Sequence, residues 1–227
     1  CALPIFTVDS ILKRVNTLLN DRTWVRWPKQ ELLDYYNDAA KAIVLMRPDA
    51  HTKNVQFNCA AGTKQSLPAD ALRLIEVLRN ADGKVIRFVP RRALDDSYPD
   101  WHAGKDGITV AAYTYDDRDP KNFYLYPGPA AAVKVDVIYS VAPQSKVLTD
   151  VENAGTPALA DLDDIYINPL IDFIMYRAFS KDSEYSANSN RAVGHYNAYL
   201  QQLGEKTQVD TNMEQRKTEG FSRVTGQ

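Results

Sequence analysis

Three clusters of aspartates are the residues of this sequence best suited to binding a divalent cation, because carboxylate oxygens are the ligands that Ca²⁺ and Mg²⁺ prefer. They are Asp95-Asp96, Asp116-Asp117 with Asp119, and Asp161 with Asp163-Asp164. None has the alternate spacing and central glycine of a calcium-binding loop. The first two are typical of turns, and the third precedes a predicted helix, whose dipole favours negative charge. We therefore expect no metal.

Other catalytic residue types are present without the spacing that chemistry requires. His51, His102 and His195 lie far apart and form no H-x-x-x-H or H-x-x-E-H pattern. Cys59 has no motif around it and is expected to be a small buried side chain. Gly62-Thr63-Lys64 lacks the upstream glycine and following helix of a phosphate-binding loop. We expect no catalytic site, no cofactor and no enzyme activity.

The composition narrows the class of protein further. The 227 residues include 27 Lys and Arg and 29 Asp and Glu. This balance argues against a protein that binds nucleic acid over a wide basic surface. No apolar run has the length of a membrane span, so no membrane partner is expected. Tyr outnumbers Phe thirteen to seven, and Tyr is enriched where a surface packs against a partner. This composition suits a subunit of an assembly.

Hydrophobic periodicity divides the chain into helical and β segments. Helical spacing predicts amphipathic helices near residues 8–19, 28–47, 167–179 and 192–203. A polar connection at 181–190 joins the last two of them. Between residues 54 and 142 the period falls to two, which predicts strands separated by turns. We expect a buried strand that includes Leu72 and Ile75, followed by a hairpin turn into a strand at Val85–Val89. A further strand is expected over Ile108–Tyr115, and in the last strand Ser140 is expected to face outward. Residues 150–157 are expected to form a loop.

This order predicts an α+β protein. An antiparallel helical bundle would be built from the N- and C-terminal helices, with an antiparallel β domain inserted between them. The expected domains are a helical hairpin at 1–50, the β domain at 51–150, the C-terminal helices at 151–204 and an extended tail at 205–227. The tail is polar, with sparse anchors at Met213, Phe221 and Val224. Such a segment can order on a partner's grooves, or remain a plain terminus.

Two surface features of the β domain allow two interpretations each. Arg87, Arg91 and Arg92 surround Pro90 and are either a solvated strand end or a docking or DNA-facing patch. Trp101-His102 follows Tyr98 in a loop, where the rings pack on a partner or back onto the sheet.

Three stretches of the sequence together resemble the head-to-tail adaptors of short-tailed bacteriophages, also called connectors, tail tubular protein A or gatekeepers. The stretches are Trp27–Ala39 running to Arg47–Ala50, then Phe123–Pro129, and Leu162–Phe173 followed by Tyr176–Asp182. The resemblance implies a structural virion protein at the head–tail junction, made in the host cytoplasm. It also implies a homo-oligomeric ring, of twelve copies in this family, which joins the portal protein to the tail nozzle or tube protein. Double-stranded DNA would pass transiently through the lumen, retained after packaging and released at ejection.

The resemblance also implies two docking regions. Portal contacts would fall on the last helix and tail, at Tyr196, Tyr199, Leu203, Met213, Phe221 and Val224. Contacts with the tail protein or a neighbouring subunit would fall on the β domain, at Arg91, Arg92, Tyr98, Trp101, Pro127 and Pro129.

Two alternatives remain at this point. One is a phage-carried or bacterial metal-dependent hydrolase that uses Asp116 and Asp117 with His102. The other is a periplasmic or lipoprotein binding module, for which the start at Cys1 is the support; we expect a trimmed start, because the apolar residues 2–6 do not resemble a polar tether.

Overall fold

The computed structural model describes residues 6–181, 187–204 and 208. The helices are α1 (Val8–Leu19), α2 (Lys29–Met46), α3 (Arg91–Ser97), α4 (Leu148–Val151), α5 (Ile167–Lys181) and α6 (187–204), with 3₁₀ turns at Pro48–Ala50 and Asp164–Tyr166. The strands are β1 (Thr52–Asn58), β2 (Lys64–Ser66), β3 (Ala71–Asn80), β4 (Arg87–Phe88), β5 (Ala112–Tyr115), β6 (Asn122–Tyr126) and β7 (Lys134–Val141). The mixture confirms the predicted α+β class.

The chain divides into two compact units. A helical unit contains residues 1–47 and 143–227, and a β unit contains residues 48–142. Segment 143–147 joins the helical unit because Asn37 of α2 bonds both the carbonyl (3.0 Å) and the N–H (2.8 Å) of Lys146. None of the helices within 6–181 and 187–204 combines the length and apolar content needed to cross a membrane.

Local sequence signals set the bounds of the first two helices. The Thr7 hydroxyl caps α1 by accepting the N–H of Ser10, and Asn20 ends it in the left-handed conformation. Pro28 precedes the first residue of α2, where its missing N–H costs nothing. The predicted apolar face of α2 is buried throughout. The helical spacing of apolar residues in α1 includes Leu18 and predicts that it is buried, but Leu18 is exposed, one position before the helix ends.

The C-terminal helices extend this apolar core. The buried side chains of α5 are Ile167, Pro169, Leu170, Ile171, Ile174, Met175, Ala178 and Phe179. Pro169 lies in the first turn, where proline is tolerated. Helical structure in α6 begins at residue 187, so part of the predicted polar connection is helical. The predicted loop at 150–157 likewise begins inside α4.

Two sheets share the core of the β unit. One has the strand order β1-β7-β3, and the other has the order β2-β6-β5-β4. Val135, Val137, Tyr139 and Val141 line the buried face of β7, as its alternation predicted. Ser140 was predicted to face outward but is fully buried, because β7 is the central strand between β1 and β3.

Strand β3 departs from simple alternation. Its register against β7 shifts three times, so three residues of β3 advance for every two of β7. The buried positions are therefore Ala71, Leu74, Val77 and Asn80, spaced by three. The prediction that Leu72 and Ile75 are buried was wrong, because each bulge turns the next side chain to the other face.

The edge strand β4 of the second sheet is shorter than predicted. The turn after Asn80 does form, but the following strand is limited to Arg87–Phe88 and pairs parallel with β5. Strand β5 begins at Ala112, and Ile108 lies exposed in the preceding loop. Among the described strands, the other pairings are antiparallel.

Candidate interaction surfaces

The last helix separates its predicted docking residues into two groups. Tyr196 is 39% exposed, whereas Tyr199 and Leu203 are 2% and 1% exposed and belong to the core of the helical unit. A partner that approaches α6 therefore meets Tyr196 and the neighbouring exposed Val193. Met213, Phe221 and Val224 lie outside the described residues.

An aromatic cluster connects α6 to α5. The Tyr196 ring lies 4.9 Å from that of Tyr176, and the Tyr199 ring packs edge-on against Phe173 at 5.2 Å. The Tyr199 hydroxyl donates to the sulfur of Met46 at 3.5 Å. Burial raises the pKa of Tyr199 to about 12, so the phenol stays neutral across physiological pH.

A polar contact accompanies these rings. Asp172 of α5 accepts from the Gln202 amide at 2.7 Å and lies 2.8 Å from His195 Nδ1. Sequence reasoning did not find it, since Asp172 and His195 are separated by a helix-to-helix connection. The spacing of His195 and Gln202 by two turns of one helix was the available signal.

The β unit brings together residues that are distant in sequence. Tyr98, Trp101 and Pro127 line one surface cleft of about 490 Å³, with Asp100 and Lys105 beside them. The exposed Tyr98 ring stacks on Tyr126 of β6 at 5.4 Å. The cleft thus offers an aromatic face and two opposite charges to a neighbouring molecule.

Trp101 supports this cleft from within. It is 4% exposed, and its indole N–H donates to Asp95 of α3 at 2.8 Å. Its ring stacks on His102 at 3.7 Å, and His102 Nδ1 lies 2.8 Å from the Thr63 hydroxyl. Of the two interpretations of Trp101-His102, the structure shows the rings packed onto their own sheet, since both also contact Tyr124 edge-on.

The remaining predicted residues of the β unit lie at its surface and in a tight loop. Arg91 and Arg92 are exposed in the first turn of α3, and Arg91 pairs with Asp95 at 3.4 Å. The sequence did not predict α3, because seven residues carry too short an apolar pattern. Pro129 is buried, and its carbonyl accepts the N–H of Gly62 at 3.1 Å.

The aspartate clusters are engaged by neighbouring cations and backbone groups. Three hydrogen bonds from the Arg118 side chain and one from its backbone N–H lower the pKa of Asp116 to about 2. Asp161 pairs with Lys146 at 2.5 Å and accepts the N–H of Gln144. Within residues 6–181, 187–204 and 208, no group of three or more His, Cys, Asp or Glu side chains is arranged to hold a metal ion.

A second cleft lies in the helical unit, and we call it the arginine cleft. Its volume is about 430 Å³, and its lining residues are Leu18, Leu19, Asn20, Asp21, Arg26, Trp27, Phe179, Asn188 and Arg191. Arg26 lies over the ring of Trp27 at 5.0 Å, and Arg191 lies over Phe179 at 5.6 Å. Sequence reasoning missed this cleft because its two arginines come from opposite ends of the chain.

Asp21 organises one side of the arginine cleft. Its carboxylate accepts the N–H groups of Trp27 (2.9 Å), Val25 (3.1 Å) and Arg26 (2.8 Å). These backbone bonds, led by that from Trp27, lower the pKa of Asp21 below its ordinary value. The loop between α1 and α2 is therefore folded around one ionised side chain.

Comparison with known proteins assigns the chain to a family. No curated protein sequence matches it. The family model described as SU10 adaptor protein matches residues 6–220, which include the six helices and seven strands given above for the described residues. The match confirms the resemblance to head-to-tail adaptors that residues 27–50, 123–129 and 162–182 indicated. The chain belongs to the SU10 adaptor protein family of phage head-to-tail adaptors.

Proposed function

We propose that this protein forms a ring at the head–tail junction of the virion, where it joins the portal protein to the tail nozzle or tube and continues the DNA channel. The family match over residues 6–220 carries the proposal, since it places the chain among structural adaptors of phage virions. A ring of twelve copies is the arrangement we propose. In such a ring each subunit uses two different surfaces, one for each neighbour.

The charge of the chain supports passage of DNA without retention. Its 27 basic and 29 acidic side chains are nearly balanced, and the two arginines at the start of α3 are accompanied by aspartates of the same helix. A strongly basic lumen would bind each phosphate that passed, with a free energy that depends on salt. A balanced lumen would let DNA slide during packaging and ejection.

The two units divide the partners between them in this proposal. The exposed face of α6 around Tyr196, together with residues 205–227, would dock on the portal. The β unit would meet the tail protein or a neighbouring subunit through Arg91 and Arg92 of α3 and through Tyr98. Trp101 and Pro127 would take part from the same cleft as Tyr98, and Pro129 from the loop after β6. The exposure of Tyr196 and Tyr98 supports this division, because Tyr is a common anchor of interfaces.

The test is reconstitution with the portal protein of the same phage. Mass photometry and electron microscopy of the mixture should show portal rings carrying a ring of this protein, and a mixture that gives no complex would refute the proposal. A chain that ends at Gly204 should keep its helical circular dichroism and bind the portal more weakly. Unchanged binding would remove residues 205–227 from the docking surface.

A further inference from the structure

We propose that the free edge of β1 receives an extended segment of the tail nozzle or tube protein as an added β-strand. The inference rests on the proposed function, which brings the β unit to the tail protein, and it names the backbone groups that would bind there. It follows from the direction of the hydrogen-bonding groups of β1, the regularity of its edge, and the chemistry of its two faces.

Backbone groups of alternate residues of β1 point away from the sheet. Among the described strands, β1 pairs with β7 alone, in an antiparallel register without a shift from Thr52 to Asn58. Just before the strand, the Val141 N–H donates to the His51 carbonyl at 3.0 Å. Just after it, the Cys59 N–H donates to the Val133 carbonyl at 2.8 Å. Because bonded and non-bonded pairs alternate along an antiparallel ladder, the odd-numbered residues bond β7. The groups that face the free edge are those of Thr52, Asn54, Gln56 and Asn58.

These outward-facing groups are accessible. The four residues are exposed, and within the described part of the chain their backbone N–H and C=O groups have no hydrogen-bond partner on this side. Each residue offers one donor and one acceptor. An extended segment that lies along the edge would therefore form a ladder of main-chain hydrogen bonds, as peptides do when they add a strand to a sheet.

The other sheet edges in the described β unit carry features that discourage pairing. The edge strands β2 and β4 have three and two residues. Strand β3 is bulged three times, and its last residues bond the segment 84–86 through the Asn80 N–H and the Leu78 carbonyl. Short strands and bulges protect a sheet edge from another chain. β1 has seven residues in regular register and neither protection, which favours an edge that is paired in the assembly.

The single charged side chain of β1 does not block its edge. A lysine on an edge strand commonly discourages pairing. Lys53, however, donates to Asp70, the residue before β3, at 2.6 Å. Because β7 lies between β1 and β3, this ion pair directs the ammonium across the sheet and away from the free edge. β1 also contains no proline, so each of its residues keeps a backbone N–H.

The two faces of β1 define the chemistry of the added segment. Val55 and Phe57 are half-buried and pack against the core of the β unit, where the Phe57 ring lies 5.6 Å from that of Phe123. Asn54 and Gln56 are exposed on the opposite face. An added strand continues both faces, so its side chains should alternate between apolar residues beside Val55 and Phe57 and polar residues on the other side.

The described strands of a second copy do not suit this edge. β2 and β4 are too short, and the bulges of β3 break its register. Pairing of β1 with β1 of another copy would join two subunits about a two-fold axis, whereas a ring is built from heterologous contacts. The segment therefore comes from a different protein, and the proposed function brings the tail protein to the β unit.

A proline at the free edge tests the contact. Gln56→Pro removes an outward-facing N–H and leaves the bonds between β1 and β7 in place. Gln56→Thr is the matched control, because it changes the same side chain and keeps the N–H. Both variants should form rings on the portal protein. Binding of the tail protein to these rings, measured by mass photometry, should require an at least tenfold higher concentration for Gln56→Pro than for Gln56→Thr.

Hydrogen exchange resolved to single residues tests the same contact in the unmodified chain. In rings without the tail protein, the amides of Asn54 and Gln56 should exchange fast and those of Val55 and Phe57 slowly, because only the latter bond β7. Addition of the tail protein should slow the exchange of Asn54 and Gln56. If circular dichroism shows that Gln56→Pro does not fold, this alternating pattern decides the question.

The outcomes separate this contact from the proposed function. Equal binding of the tail protein by the two variants, or no added protection at Asn54 and Gln56, would overturn the contact and leave the adaptor function standing. If folded Gln56→Pro fails to form rings that Gln56→Thr forms, the edge pairs with a second copy and the tail protein is the wrong occupant. An unmodified chain that joins neither the portal nor the tail protein refutes the contact together with the proposed function.

Discussion

Asn80 binds both backbone polar groups of Val110 inside the β unit. Its Nδ2 donates to the Val110 carbonyl at 2.7 Å, and its Oδ1 accepts the Val110 N–H at 2.8 Å. Nδ2 also donates to the Lys84 carbonyl at 3.1 Å. Because Val110 lies just before β5 and Asn80 ends β3, one buried amide joins the two sheets where their backbones do not pair.

Replacement of this amide should destabilise the β unit strongly. Asn80→Ala leaves the N–H and carbonyl of Val110 without their partner in a buried position, which costs about 1–3 kcal/mol for each unsatisfied group. We expect a loss of about 2–4 kcal/mol in the free energy of unfolding. Urea unfolding followed by tryptophan fluorescence measures the loss: Trp101 contributes the signal of the β unit, and Trp24 and Trp27 contribute that of the helical unit.

The conservative variant separates the two halves of the amide. Asn80→Asp keeps an acceptor for the Val110 N–H but loses the donor to two carbonyls, and it places a carboxylate in a buried site. It should not restore the stability of the original chain. A loss below about 1 kcal/mol for Asn80→Ala would mean that water replaces the amide, contrary to the prediction.

Gly128 provides a second test of the same unit. A Cβ at this position would lie 3.1 Å from Asp106 Oδ1 and 3.2 Å from the backbone of Gly62 and Thr63. Gly128→Ala should therefore overpack the loop after β6 and cost about 1–3 kcal/mol. Gly104→Ala is the matched control, because its Cβ would meet only the Trp101 carbonyl at 3.8 Å. Equal thermal unfolding temperatures for the two variants would contradict the prediction.

The helices could be predicted from the sequence because their burial follows a local period. Each position of the predicted apolar face of α2 is buried, since one helix repeat decides which side chains share a face. Strand β7 was predictable for the same reason, with a period of two. In β3 the three bulges depend on pairing with β7, and no local pattern in Ala71–Asn80 records them.

The candidate surfaces were predictable only in part, because they are built from distant residues. Tyr98 and Trp101 were identified as loop aromatics, but their neighbour Pro127 joins them only because Tyr98 stacks on Tyr126 at the end of β6. The arginine cleft gave no signal at all. Arg26 and Arg191 are 165 residues apart in the sequence. Nothing in the spacing of charges shows that Trp27, beneath Arg26, packs beside Phe179 of α5, beneath Arg191.

The Asp21 carboxylate should make the helical unit sensitive to acid. Its folded pKa is lowered by hydrogen bonds from the N–H groups of Trp27, Val25 and Arg26. A lowered folded pKa stabilises the protein above the unfolded value, near pH 4, and this contribution is lost as the pH falls through the folded pKa. Asp21→Ala should thus be less stable than the original chain at neutral pH, with a difference that shrinks below about pH 4.

Urea unfolding followed by far-UV circular dichroism across this pH range measures the difference. Asp21→Asn is the control, because it keeps one acceptor oxygen and does not titrate; the original chain should lose its advantage over this variant as well in acid. A stability difference that stays constant from neutral pH into the acidic range would show that the carboxylate charge does not organise the loop.

Tyr196 and Tyr199 should have separate roles although they lie one helical turn apart. Tyr199→Ala empties a buried site and should cost about 3–5 kcal/mol of unfolding free energy, whereas Tyr199→Phe keeps the ring and should remain close to the original chain. Tyr196→Ala should cost about 1 kcal/mol or less, as is usual at a partly exposed position, and should weaken portal binding. Thermal unfolding and portal binding by mass photometry, measured on the same samples, distinguish the two. Portal binding that falls only in proportion to stability for Tyr196→Ala would mean that this side chain serves packing between α5 and α6 and not docking.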